Sequence, residues 1–134
     1  MIIRNELLSR RRATACVELA LCLPVIVLLV FASLEGANMI FLRQAVVQSA
    51  YETAKSAAKG YGLQAHARQL GEQVLSSRGI SGASFEFQPP EVDGLAAGTP
   101  FTVSVAVPGD ARSLTGILPF GGLTIRAQAT MFKE

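Results

Sequence analysis

Glu18 stands at the lip of an apolar run that carries no further charge until Glu35, and Arg10-Arg11-Arg12 precede it. The order is basic cluster, one acid, then a greasy helix. A carboxylate inside a membrane segment costs several kcal/mol, so it is rare there unless something uses it. Two accounts fit Glu18. It can snorkel at the headgroup boundary at little cost. Alternatively, it awaits a positive partner, such as an α-amino group freed by cleavage nearby. Arg10, Arg11, Arg12 and the apolar run taken alone describe a plain signal anchor with its basic end inside.

Other reactive residue types are sparse. Cys16 and Cys22 lie in or beside the apolar run. On a helix they stand about 9 Å apart along the axis, too far for an internal bridge, and they read as small hydrophobes. No cysteine follows Cys22, so the rest of the chain has neither a disulfide nor a thiolate metal site. His66 is the single histidine and reads as a surface or capping residue. Glu86, Glu91, Asp93 and Asp110 are scattered, with no spacing suited to acid–base work, and no nucleophile elbow or metal cluster appears. Leu118-Pro119-Phe120-Gly121-Gly122 lacks the Lys and Ser/Thr of a phosphate cradle and reads as a hairpin connection. The expectation is no enzyme, no cofactor, no metal and no evident small-molecule substrate.

Charge is uneven along the 134 residues. Residues 1–12 hold four Arg against one Glu, residues 13–59 are balanced, and residues 60–134 hold five bases against six acids. The basic surplus is therefore local, a positive-inside signal. No stripe of Lys and Arg interleaved with aromatics supports nucleic-acid binding. Half the residues are hydrophobic, and that excess is concentrated near the N-terminus.

These residues need elements to position them. Residues 1–13 read as a short, flexible basic leader on the cytoplasmic side. Residues 14–59 read as one long helix, about 70 Å if straight, with Pro24 expected to bend it. The charge-free core Leu19–Leu34 spans about 24 Å; extended to Leu42, with Glu35 tolerated, it reaches about 36 Å and can cross a bilayer. Beyond Arg43 the helix turns amphipathic. Ala45, Ser49, Thr53 and Ala57, with Ala50, Ala54 and Ala58, place small residues at i, i+4 spacing. Such rows let another element approach closely, either within the same domain or on another subunit. Gly60-Tyr61-Gly62 ends the helix.

Residues 60–134 read as an extracytoplasmic domain. A second helix is predicted over 64–77, with Leu63, Ala67, Leu70 and Val74 as its apolar face and Gly71 weakening it. Gly79 and Gly82 close it. Three alternating segments follow: Ala83–Gln88, Phe101–Val107 and Leu123–Met131. They predict a small antiparallel sheet with one greasy face, covered by the two helices. The fold class is α+β: a long N-terminal helix, a shorter helix and about three strands.

Arg12-Ala13-Thr14-Ala15-Cys16-Val17-Glu18-Leu19-Ala20-Leu21 resembles the leader of the TadE/TadG-like pseudopilins of tight-adherence (Tad, or Flp) pilus systems. Leu23-Pro24, Glu35, Arg43-Gln44-Ala45, Ala50, Glu52, Ala54 and Lys55 continue in that family's order and spacing. The resemblance is specific from residue 10 to 58 and architectural beyond 60. It implies that a prepilin peptidase removes the basic leader on the cytoplasmic side. The glutamate then stands fifth in the mature chain, which makes Ala13 the last leader residue and Thr14 the first mature one. The family usually has glycine where this chain has Ala13, and a Phe-Gly pair where Gly36-Ala37 follows Glu35. The resemblance also implies that Glu18 pairs with the Thr14 α-amino group of a neighbour and so fixes the register between helices.

Three functions are weighed on this basis. The first is a minor pilin or pseudopilin of a Tad (type IVb, Flp) pilus or related secretion assembly. Its partners would be the prepilin peptidase, other pilin subunits through the N-terminal helix, and the lipid bilayer. It would sit in the bacterial inner membrane, single-pass, N-terminus inside and C-terminal domain outside, with passage to the cell surface on assembly. The second is a single-span, membrane-anchored binding module that is never processed. The third is a secreted protein cut after Val30-Phe31-Ala32, with Ser33 as the new start.

Overall fold

A computed structural model describes residues 2–59, 63–111 and 122–134, with side chains from residue 13 onward. The helix end expected at Gly60-Tyr61-Gly62 and the Leu118–Gly121 part of the expected hairpin connection lie outside the described residues.

Helix α1 spans Ile2–Ala58 and passes through Pro24. It starts well before Thr14, so the basic leader is helical backbone where a flexible one was expected. Tertiary contacts divide the chain into two units, one ending at Gly36 and the other covering Ala37–Glu134.

In the first unit every described residue from Ala13 to Leu34 is exposed, including Leu21 at 71% and Leu28 at 66%. The helix here is held by its own backbone ladder, not by packing. Long apolar side chains lose little rotamer freedom in a helix, which favours it even without a cover.

The second unit has a packed core. Its part of α1 buries Leu42, Ala45, Val46, Ser49, Ala50, Thr53, Ala54, Ala57 and Ala58. These recur at steps of three and four, the period of one helix face. Helix α2 spans Gln64–Ser76. Strands β1 (Ser84–Gln88), β2 (Pro100–Pro108) and β3 (Thr124–Phe132) form an antiparallel sheet in the order β1-β2-β3. Phe85 and Phe87 of β1 and Phe101, Val103, Val105 and Val107 of β2 join the α1 face, Ala67, Leu75, Ile80 and Val92 in one cluster. The small-residue rows of α1 therefore pack within their own domain.

Two expected faces shift. On α2 the buried residues are Ala67, Gly71 and Leu75; Leu63 is 63% exposed, and Leu70 and Val74 are only partly covered. The reason is Gly71. A Cβ there would lie 2.1 Å from Thr53 Oγ1 and 2.6 Å from Phe85 Cε1, so only glycine lets α2 come this close. On β2, Ser104 and Ala106 are buried although their alternation pointed them at solvent. β2 is the central strand. Ser104 lies between Glu86 and Gln128, and Ala106 between Ser84 and Arg126, so longer neighbours on the same face cover most of these small side chains.

Each end of α2 is secured. Asp93 Oδ1 accepts from the Gln64 amide at 2.6 Å, capping α2 from a distant loop. Gln64 Nε2 donates to Pro90 O, and Gln64 Oε1 accepts from the Val92 amide, both at 3.0 Å. At the other end Ile80 N–H reaches Leu75 O and Gly79 N–H reaches Ser76 O, the bond pair of a Schellman closure. Gly79 supplies the left-handed residue that closure needs, at φ 70°.

Candidate functional site

The N-terminal residues singled out by the sequence lie along one helix. Ala13, Thr14 and Glu18 are all exposed on α1. Thr14 and Glu18 are four residues apart, one turn and about 6 Å along the axis, so they share a face. Arg10, Arg11 and Arg12 belong to the same helix, their side chains outside the described residues. Among the described residues Glu18 has no ion-pair partner. A carboxylate in this position, followed by exposed Leu19, Leu21 and Leu23, is presented to whatever surrounds the helix. Chemically the arrangement can do one thing: accept a cation or hydrogen-bond donor beside an apolar surface. It holds no nucleophile–base pair.

Pro24 sits within α1, where it has no N–H to bond the Ala20 carbonyl. Glu35 is 1% exposed, unlike Glu18. The two acids that bracket the apolar run thus differ in environment: one is presented, the other enclosed. Cys16 and Cys22 are exposed free thiols. His66 is exposed on α2. Among the described residues no three of His, Cys, Asp and Glu come together as a metal site.

Sequence reasoning missed three residues that hold the second unit together. Gly71 is one; a mid-helix glycine beside a row of small residues was its signal. Asp93, read as one of several scattered acids, is the cap of α2. Lys133 left no signal. It is 5% exposed, and its Nζ donates to Ala57 O at 2.8 Å and Lys59 O at 3.2 Å. The Glu134 amide donates to Ala58 O at 2.8 Å. An ammonium on the last carbonyls of a helix is where the macrodipole favours a cation, so the chain's end caps α1.

These features define a class: an α+β protein whose single long N-terminal helix, Ala13–Ala58 over its described side chains, is long and apolar enough to cross a membrane, with a most apolar window of mean hydropathy 2.7. Residues 13–55 match the TadE-like protein family, the family that the residues around Glu18 resemble. That family is structural and pilus-associated. No curated protein and no solved structure matches the chain.

Proposed function

We propose that this chain is a minor pilin or pseudopilin-like subunit of a Tad (type IVb, Flp) pilus or related secretion assembly. It is anchored in the bacterial inner membrane by about residues 19–42, N-terminus in the cytoplasm and residues 60–134 outside. The single observation that carries this reading is the uncovered, charge-free surface of Leu19–Leu34 directly behind Glu18, within the TadE-like segment. Exposed large apolar surface of this extent needs lipid or other subunits around it.

In this reading a prepilin peptidase cuts between Ala13 and Thr14. The new α-amino group on Thr14 of one subunit meets Glu18 of its neighbour. Pairing relieves the cost of an uncompensated carboxylate in a low-dielectric setting, so helices prefer the axial register that brings the two together. Lipid holds the apolar surface first, and other subunits replace it on assembly.

The mass of the mature protein isolated from cells tests the cut. A chain beginning at Thr14 supports the proposal; one beginning at Ser33 means secretion and sinks it. An intact leader supports a second reading, a single-span anchored binding module, which is favoured by the alanine at position 13 where the family carries glycine. Glu18→Ala is expected to leave membrane insertion unchanged and to abolish incorporation into pili, read by fractionation and by the protein content of sheared fibres. Normal incorporation of that variant would remove Glu18 from the mechanism.

A further inference from the structure

The sheet ends in two unlike edges. β3 is nine residues long and contains no proline, no glycine and one charge, Arg126. Within the strand itself, that charge is the one device against pairing with another chain. Among the described residues, β2 is the one strand that pairs with it. Its apolar row, Ile125, Ala127, Ala129 and Met131, is only half-covered.

β1, at the opposite edge, borders an open groove. Phe85, Glu86 and Phe87 form one side, and Gln64, Arg68 and Glu91 line it further. Arg68 is already engaged: it pairs with Glu72 at 3.1 Å and lies 5.9 Å over the Phe85 ring. Glu86 and Glu91 are exposed, so the groove is acidic where β3 is basic.

We propose that β3 of one copy adds to the β1 edge of a second copy, head to tail. The geometry fixes the direction. β1 and β3 are each antiparallel to β2, so they run the same way. A second copy with its helices on the same side of the sheet therefore lays its β1 parallel to β3 of the first. Glu86 and Arg126 project from the same polar face, because Glu86, Ser104 and Gln128 are in register and Arg126 is two residues from Gln128. Aligning Ser84–Gln88 of one copy with residues 124–128 of the next sets Glu86 beside Arg126 and continues the apolar row from Ile125 and Ala127 to Phe85 and Phe87. The contact uses different surfaces on the two copies, so it does not close on itself and extends as a filament. It depends neither on leader cleavage nor on Glu18.

The test uses the full chain in membranes with Cys16→Ser and Cys22→Ser as background. Gln88→Cys and Gln128→Cys are then combined. Within one chain these positions are two strands apart, about 10 Å, beyond disulfide reach, whereas in the proposed register they are neighbours. Mild oxidation is expected to give a ladder of dimers, trimers and longer species from the double variant and none from either single one. Arg126→Glu should reduce the ladder roughly tenfold by setting like charges together, and adding Glu86→Arg should restore it. Absence of a ladder, indifference to charge reversal, or dimers from Gln128→Cys alone (β3 against β3) would each overturn the proposal. Because the ladder is read whether or not residues 1–13 are present, its failure is separate from failure of the cleavage and Glu18 scheme.

Discussion

From Leu19 to Leu34 α1 displays Leu, Val, Ile and Phe, and all of them are exposed; from Leu42 to Ala58 its buried face is mostly Ala, Ser and Thr. The difference is one of side-chain size as much as polarity. Large apolar groups suit surroundings that conform to them, as lipid does. Small groups suit a partner held at a fixed short distance, because they let backbones come close. Gly71 completes that logic from the other side: α2 meets Thr53 where even a methyl group has no room. The helix thus changes the kind of neighbour it is built for along its length.

Substitutions can break or sharpen this contrast, each read as unfolding of the detergent-solubilised chain. Phe101 is 1% exposed, and Phe101→Ala is expected to cost the second unit about 3–5 kcal/mol. Leu21→Ala should change it by less than about 0.5 kcal/mol, since nothing in the chain covers that side chain. Equal effects would erase the contrast. Lys133→Met keeps the bulk and removes the donors to Ala57 O and Lys59 O, a loss of about 1.5–3 kcal/mol. Gly71→Ala improves helix propensity yet should destabilise by about 1–3 kcal/mol through overpacking; a stabilised protein would show that α2 can shift away from Thr53. Ser49→Ala loses the bond from Oγ to Gly71 O at 2.9 Å, about 0.5–1.5 kcal/mol, the smallest loss among the packed positions.

Much of this fold was legible because its signals are local. Phe85 and Phe87 alternate with polar residues, and β1 buries them in that pattern. The same holds for the four inward residues of β2, and for β3, whose inward row is only half-covered because it lies at an edge. The α2 face was misplaced because Gly71 has no side chain to contribute to an apolar count, so Leu63 and Leu70 dominated the pattern. Ser104 and Ala106 were read by alternation alone, and what covers them comes from partner strands far along the chain. Lys133 illustrates the same limit: its acceptors are 76 and 74 residues away. At the N-terminus Glu18 stood out through its isolation among apolar residues. Glu35 looked similar in sequence, and its burial had no local sign.

The Lys133 cap has a mechanical consequence. Tension entering the domain along α1 reaches Ala57, Ala58 and Lys59, whose carbonyls are bonded to Lys133 and Glu134. From Lys133 it passes through the backbone bonds with Thr99 and Gly98 to the start of β2, the central strand. The load path therefore crosses directly from helix to sheet without following the chain, and it engages the two longest strands in addition to α2, which the Ser49–Gly71 bond ties to α1 about two turns earlier.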